Sequence, residues 1–255
     1  MCPILRGEHM AAAVWEPDAS DIDVAALHQG FVRGVRGRGG DIETSAELTA
    51  AEWSNGAWHV QAGEELFTAD IVVNAAGAWA DVVAHRSGID PIGFVPRRRT
   101  AFMVSAPEGA AAWPMIIDAD ELFYFKPDGG QLLCSPGDQT PSEPVDARPE
   151  EVDVAIAIER INEATTLHLR HVRSQWAGLR TFAPDGAMVI GRDPTTPSFV
   201  WLAGQGGTGI QSAPAAARFV ASIVEDHEPP NEILAAGLDL PGVSPSRFRS
   251  PHRSR

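Results

Sequence analysis

The stretch Ile71-Val72-Val73-Asn74-Ala75-Ala76-Gly77-Ala78-Trp79 decides how this chain is expected to fold. It begins with Ile and Val in an unbroken run, which is typical of a short strand buried on both faces. Tiny residues follow, and a helix is predicted from Ala78 to about residue 87. Small residues let the backbone approach a ligand closely, and a helix N-terminus offers unpaired N–H groups to an anion. Tight strand–helix packing without any ligand accounts for the same pattern equally well.

A second strand–glycine–helix segment lies further along the chain, at Gly204-Gln205-Gly206-Gly207-Thr208-Gly209-Ile210-Gln211. Its spacing is not that of the G-x-G-x-x-G dinucleotide fingerprint. An N–H-rich turn in front of the positive end of a helix dipole suits a phosphate or an electron-rich ring edge. A flexible loop is the alternative, and four glycines at a strand–helix junction count against it.

Between these two segments the sequence changes to short strands separated by turn residues. Asp128-Gly129-Gly130 predicts a tight hairpin, as Asn55-Gly56 does earlier in the chain. Strands are predicted at 42–44, 48–53, 58–62, 66–69, 70–74, 94–105, 115–118, 122–126, 131–135, 172–180 and 199–203, and helices at 21–38, 78–87, 150–167 and 210–225. This order predicts one discontinuous nucleotide-type domain around an antiparallel, sheet-rich insert.

Composition excludes several classes of function. The 255 residues carry a net charge of −14 at pH 7, which argues against binding to nucleic acid. No apolar run reaches the roughly 18–20 residues of a membrane span, and the N-terminus lacks the apolar core of a secretory signal. A cytoplasmic location is therefore expected. The two cysteines show no metal-ligand spacing, so no metal site is predicted.

Three further segments of the chain carry candidates for substrate contacts. Arg180 ends a predicted strand, and a partly buried arginine needs an anion, either a substrate carboxylate or one of the 34 acidic residues. Arg97 and Arg99 share one face of a strand and Arg98 takes the other, although a solvated basic stripe explains at least one of them. Tyr124, the only tyrosine, is suited either to a polar group of a substrate or to the sheet surface.

Taken in order, these segments resemble the D-amino acid oxidase superfamily of flavoproteins, and more narrowly the D-arginine dehydrogenases. The resemblance runs from about residue 11 to residue 248. It rests on V-V-N-A-A-G-A-W at 72–79, R-R-T-A-F at 98–102, A-W-P-M at 112–115, F-Y-F-K-P-D at 123–128, E-A-T-T-L at 163–167, W-A-G-L-R-T-F at 176–182 and G-Q-G-G-T-G-I-Q at 204–211.

The resemblance implies a mixed α/β and α+β fold in two domains. A glutathione-reductase-like FAD-binding domain is expected from 21–90 and 176–245, incomplete because its N-terminal βαβ unit with the G-x-G-x-x-G motif is absent. An antiparallel-sheet substrate domain is expected from 1–20 and 91–175. Residues 246–255 are expected to form a tail.

The resemblance also implies roles for individual residues. Arg180 would hold the substrate carboxylate, with Arg99 and Tyr124 assisting, and the backbone of Gly178 would lie near the amine. Non-covalent FAD would be held by Leu48, Ala76, Gly77, Gly206, Gly207, Thr208, Gly209, Ile210 and Gln211. Thr208 replaces the tyrosine of the D-arginine dehydrogenase pattern.

The function implied is FAD-dependent oxidative deamination of a small-molecule amino acid of the D series, by hydride transfer to flavin N5. A quinone or another acceptor would then take the electrons. Two alternatives stay open: a sarcosine- or dimethylglycine-type secondary-amine oxidoreductase, and a truncated, inactive chain that acts only as a binding partner.

Overall fold

The computed structural model describes residues 2–249, in two compact units. The first unit joins Met1–Pro17 to Pro96–Arg180, and the second joins Asp18–Val95 to Thr181–Arg255. The assignment of these units to substrate and cofactor stays a prediction, as do the domain boundaries read from the sequence. The part of the tail beyond residue 249 lies outside the described residues.

The chain alternates short strands with helices. The helices are α1 (Val24–Gly37), α2 (Ala80–Arg86), α3 (Glu151–Ala164), α4 (Gly209–Val224), α5 (Asn231–Ala235) and α6 (Leu240–Val243). The strands are β1 (Leu48–Ser54), β2 (Ala57–Ala62), β3 (Glu65–Ala69), β4 (Val72–Asn74), β5 (Val95–Ser105), β6 (Ile116–Ile117), β7 (Tyr124–Asp128), β8 (Gln131–Ser135), β9 (Thr140–Pro141), β10 (Ser174–Phe182), β11 (Val189–Arg192) and β12 (Phe199–Ala203). Among the described residues, no helix combines the length and apolar character that crossing a membrane demands.

The first unit is built on a six-stranded sheet in the order β10-β5-β8-β7-β6, with β9 paired to β5. Side chains alternate between the two faces of such a sheet. One face carries Phe102, Phe125 and Cys134, which are fully buried against α3 through residues such as Ile161. Burial raises the pKa of the Cys134 thiol to about 12. The opposite face is therefore the one on which Arg99 and Tyr124 lie.

The second unit contains a three-stranded antiparallel sheet, β1-β2-β3, and a second sheet in the order β11-β12-β4. In the second sheet β12 runs parallel to β4, with Phe199 opposite Val72 and Trp201 opposite Asn74. One face packs on the antiparallel sheet and α2 through Trp58 and its neighbours, and α4 covers the other. The parallel pair brings two loops that are distant in sequence to the same edge of the sheet.

Helix α1 is amphipathic, as the spacing of its apolar residues predicts. The Asp23 carboxylate accepts a hydrogen bond from the Ala26 amide at 2.9 Å and so caps the helix start. No residue of the helix is buried, and Phe31 is 49% exposed. Its apolar face therefore stays accessible to water in the described chain.

The structure differs from the sequence prediction at several elements. Residues 42–44 form no strand, and β11 was not predicted. The region after Pro229 contains the short helices α5 and α6, which were not predicted. Strand β4 is not buried on both faces, since Val73 is 39% exposed.

A buried carboxylate ties the end of the described chain to the second sheet. Asp193 is fully buried and accepts hydrogen bonds from the Thr195 hydroxyl at 2.7 Å, Trp201 Nε1 at 3.2 Å and Arg249 Nη2 at 3.0 Å. Burial alone would raise the pKa of Asp193, but the hydrogen bonds from Thr195 and Arg249 outweigh it and lower the pKa below its usual value. The carboxylate is therefore charged and satisfied at neutral pH.

We expect Asp193→Asn to lower the free energy of unfolding by about 3 kcal/mol at pH 7, because it removes the negative charge of a buried pair. A depressed carboxyl pKa stabilises the fold above the unfolded value of about 3.9 and ceases to do so as the pH falls through the folded value. Urea unfolding at several pH values should therefore show the difference between the two proteins narrowing below about pH 4.

The control is Asp185→Asn, whose carboxylate pairs with Arg247 at 2.6 Å but is 43% exposed. This change should cost less than about 1 kcal/mol. Equal losses in the two variants would contradict the role assigned to the buried carboxylate.

Candidate functional site

The loop after β4 is held by a buried side chain. Asn74 Nδ2 donates to the Ala80 carbonyl at 2.8 Å, and Asn74 Oδ1 accepts from the Ala76 amide at 3.3 Å. The following Gly77 has a φ of +57°, which disfavours any residue with a Cβ, although open space surrounds the position of that atom. Backbone conformation, rather than packing, therefore explains glycine at this position.

The glycine turn after β12 is ordered by packing. Gly206 has a φ of +56°, and a Cβ there would lie 2.7 Å from the Phe182 ring. Its amide donates to the Thr181 carbonyl at 2.8 Å, and Gln205 forms a bridge to Phe182. The flexible-loop interpretation of this segment is therefore wrong, because the turn is fixed to β10.

Helix α4 begins directly after this turn without a side-chain cap. The Thr208 hydroxyl donates to the Gln205 carbonyl at 3.0 Å instead of accepting from the first turn of the helix. The first amides of a helix have no partner within it, and they carry the positive end of its dipole. The amides at the start of α4, from Gly209 to Gln211, are thus suited to an electron-rich group.

Leu48 lies beside the helix that follows the first loop. A cavity of about 340 Å³ is lined by Glu47, Leu48, Trp79, Val82, Val83 and Arg86. Arg86 Nη1 donates to the Leu48 carbonyl at 2.6 Å and to the Glu47 carboxylate at 2.7 Å. The structure thus places Leu48 and Trp79, the last residue of the Gly77–Trp79 turn, on one cavity of the second unit.

In the first unit, Arg98 has a structural role. Its guanidinium pairs with Asp138 at 3.4 Å, with Asp153 at 2.6 Å and with Glu150. Burial alone would lower the pKa of Arg98, but the hydrogen bonds to Glu150 and Asp153 raise it. Arg98 is therefore neutralised by the chain itself.

The Arg99 guanidinium group has a hydrogen-bond partner for one of its nitrogens and lacks one for another. Its Nε donates to the Asp138 carbonyl at 2.9 Å, whereas its Nη2 is buried and has no hydrogen-bond partner among residues 2–249. The Asp138 carboxylate is already used, because it accepts from the Thr100 amide at 2.7 Å and the Thr100 hydroxyl at 3.0 Å. A buried guanidinium N–H without a partner is costly unless an anion binds it.

Arg180 lies on β10, the strand next to β5, which carries Arg99. It is partly buried and forms no salt bridge within the described part of the chain. Burial lowers the pKa of Arg180 and the charge of Arg99 lowers it further, whereas Tyr124, Glu121 and Asp138 raise it. The structure thus brings Arg180, Arg99 and Tyr124 together from three strands. The two guanidinium groups of this cluster favour a negatively charged ligand.

Gly178 precedes Arg180 by two residues in β10, so the two positions face the same side of the strand. It is exposed, and a Cβ added to it would meet no atom within 4 Å. Packing within the unit therefore does not require glycine there.

Sequence reasoning missed two residues of this cluster, Glu121 and Asp138. Both lie in loops, where no periodicity assigns a side chain to a face. The glycine just before Asp138 was a signal in the sequence. In the structure, Gly137 has a φ of +68°, and a Cβ there would overlap the Glu121 carbonyl. That close approach fixes the loop whose carbonyl orients Arg99.

The family profile described as DAO, FAD dependent oxidoreductase, matches residues 1–223. The chain belongs to this family. Members of the FAD-dependent oxidoreductase family depend on FAD, so the superfamily resemblance and the cofactor predicted from the sequence are both confirmed. The narrower likeness to D-arginine dehydrogenase stays a prediction.

Several curated relatives are similar to this DAO-family chain. FAD-dependent oxidoreductase domain-containing protein 1 of Bos taurus is 30% identical over 176 residues, covering 60% of this chain and 35% of that protein. Glycine oxidase of Bacillus licheniformis is 25% identical, covering 86% of this chain and 58% of the relative. Human mitochondrial dimethylglycine dehydrogenase is 24% identical, covering 97% of this chain and 30% of the relative. The chain thus spans between about a third and three fifths of these relatives.

Solved structures confirm the predicted fold class. Glycine oxidase from Geobacillus kaustophilus superposes with a TM-score of 0.75 at 22% identity, over 88% of this chain and 58% of that one. L-proline dehydrogenase from P. horikoshii gives a TM-score of 0.72 at 22% identity, over 87% and 59%. At such identities the likeness concerns the fold alone.

The second unit of this DAO-family chain fits an FAD cofactor. The glycine turn leaves the start of a 16-residue helix without a side-chain cap, and Gly77 turns the backbone where the adjacent parallel strand ends. Anionic ligands bind where such strands end. Of the residues predicted to hold FAD, Ala76 and Gly77 lie in the loop after β4, and residues 206–211 lie in the glycine turn and the start of α4. Their roles stay predictions.

We expect Gly206→Ala to destabilise the fold by about 2 kcal/mol, because alanine is strained at positive φ and its methyl group would meet the Phe182 ring. The matched control is Gly178→Ala, which lies in a strand with open space around it. Urea unfolding of both variants tests the packing role of the glycine turn. A Gly206→Ala protein as stable as Gly178→Ala would show that the turn adapts freely.

Proposed function

We propose that the protein is an FAD-dependent amino-acid oxidoreductase whose first unit binds the substrate carboxylate and whose second unit binds FAD. The observation that carries this proposal is the pair of guanidinium groups on β5 and β10. The Nη2 of Arg99 is buried without a partner among the described residues. Burial and the charge of Arg99 both lower the pKa of Arg180. A carboxylate is the ligand that two such groups bind best.

The chain's own contribution is mainly orientation. Arg180 and Arg99 hold the carboxylate by charged hydrogen bonds, and the Tyr124 hydroxyl donates to the same group. The exposed backbone of Gly178, on the same side of β10 as Arg180, accepts from the amine. Holding the α-carbon in one geometry removes much of the entropic barrier to its oxidation.

A bound FAD would supply the acceptor for the hydride that leaves the substrate α-carbon. The substrate amine thereby becomes an imine, which water hydrolyses to a keto acid and ammonia. The amides at the start of α4 favour negative charge beside them. A quinone or another acceptor then takes the electrons away.

We propose D-amino acids as the substrates, with secondary amines as the second candidate. The names of two relatives, glycine oxidase and dimethylglycine dehydrogenase, support small amino acids and N-methylated amines respectively. The iminodiacetate oxidase structure, with a TM-score of 0.69, belongs to an enzyme named for a secondary amine.

The first test uses the 255-residue protein incubated with FAD and desalted. We expect a retained flavin absorption spectrum that bleaches when a D-amino acid is added without oxygen. Arg180→Ala should keep the spectrum but slow bleaching at least about 100-fold, because the carboxylate loses its main partner.

The control for this variant is Arg170→Ala, an exposed arginine of the same unit, which should bleach at the rate of the parent protein. Unaltered bleaching in Arg180→Ala would rule out the carboxylate role. A colourless parent protein would show that residues 1–255 do not bind FAD by themselves.

Comparing D-alanine, D-arginine, L-alanine and sarcosine as reductants separates the two candidate functions. We expect the D-amino acids to reduce the flavin faster than their L counterpart and faster than sarcosine. Fastest reduction by sarcosine would favour the secondary-amine function. The single-turnover rate constant at saturating substrate is the quantity to compare.

A further inference from the structure

The turn between β6 and β7 carries a carboxylate that the proposed function does not use. The Glu121 amide donates to the Asp118 carbonyl at 2.9 Å, and the Asp118 amide donates to the Phe123 carbonyl at 3.0 Å. The Asp118 carboxylate also accepts from the Asp120 and Leu122 amides at 3.1 and 3.2 Å. The turn is therefore ordered by its own hydrogen bonds.

Glu121 adopts a backbone conformation that favours glycine. Its φ is +56°, and its carbonyl lies so close to Gly137 that no Cβ fits at that position. Glycine at 121 would relieve this strain, yet the chain places a long carboxylate side chain there. Strain of this kind is typical of functional positions.

Two carboxylates lie near Arg180, those of Asp138 and Glu121, and Glu121 is the one without a hydrogen-bond or ion-pair partner among the described residues. The Asp138 carboxylate is bound by Thr100 and Arg98. The Glu121 side chain is exposed and forms no ion pair within the described residues, while its charge acts on Arg180. The Glu121 carbonyl lies directly against Gly137. The next residue, Asp138, accepts from Arg99 Nε through its own carbonyl, so the free carboxylate belongs to a turn beside the guanidinium groups.

We propose that Glu121 is a selectivity residue that interacts with the cationic amino group of the ligand and disfavours carboxylates without one. The proposal rests on the proposed function, because Arg180 and Arg99 must hold the ligand carboxylate. It follows from the arrangement of charges: two positive groups complement the carboxylate, and the exposed Glu121 complements an ammonium group.

The charge of Glu121 acts in opposite directions on two kinds of ligand. It repels a plain carboxylate that approaches Arg180, so it weakens the binding of such an anion. A zwitterion of the same carbon skeleton offers an ammonium group that offsets this repulsion. Removing the charge should therefore change the ratio of the two affinities, which a purely structural role would not do.

The test measures dissociation constants for propionate and D-alanine, which differ only by the amino group. Amide chemical shifts of the isotope-labelled protein, followed during titration, report even weak binding and need no flavin. In Glu121→Gln we expect the ratio of the propionate constant to the D-alanine constant to fall about threefold, the size expected for one exposed charge pair.

Two further variants control for folding and position. Glu121→Gly removes the same charge while relieving the positive φ, so it should show the same fall in ratio and at least the parent's stability. Asp120→Asn removes the neighbouring exposed charge of the same turn and should leave the ratio unchanged.

The outcomes separate the two proposals. Equal changes in both constants in Glu121→Gln, or an equal fall in Asp120→Asn, would overturn the role of Glu121 while leaving the clamp intact. If Arg180→Ala binds both ligands as the parent does, the clamp itself fails. If the parent protein binds neither ligand, both proposals are overturned.

Discussion

The parallel pairing of β4 with β12 is the constraint on which the second unit depends. Because Val72 lies opposite Phe199 and Asn74 opposite Trp201, both strands end at the same edge of the sheet. The Asn74 side chain then fixes one loop, and the Phe182 ring under Gly206 fixes the other. The shared sheet edge brings these two fixed loops together, and both are where a cofactor of the DAO family is expected.

A single carboxylate and its loop organise the first unit in a comparable way. Asp138 takes the charge of Arg98 and the N–H and O–H groups of Thr100, and its backbone carbonyl takes Arg99 Nε. Asp138 thus gives the neighbouring Arg98 and Arg99 different roles. Arg98 holds α3 to the sheet through Glu150 and Asp153, whereas Arg99 keeps one buried N–H for a ligand.

Sequence patterns predicted the parts of this architecture that local rules govern. Asn55-Gly56 and Asp128-Gly129-Gly130 form the predicted hairpins, and the alternation in β5 correctly separates Arg98 from Arg99. Strand β11 was missed because four residues ending in Gly191-Arg192 give no clear period, and its pairing with β12 supplies the signal. The neutralisation of Arg98 depends on α3, some 50 positions later, which no local pattern reveals. The sequence patterns also missed Glu121 and Asp138, because both lie in loops and only the folded chain brings them near Arg180.

The two cysteines lie in one unit only, so a thiol reagent can report on that unit and not on the other. Cys2 and Cys134 both lie in the core of the first unit, and the chain has no other cysteine. With its pKa near 12, the Cys134 thiol holds almost no thiolate at neutral pH, and only the thiolate reacts with alkylating reagents. Covalent labelling of Cys134 therefore proceeds only when the sheet opens away from α3. Its rate would record the opening of the first unit alone, while the second unit stays silent to the reagent.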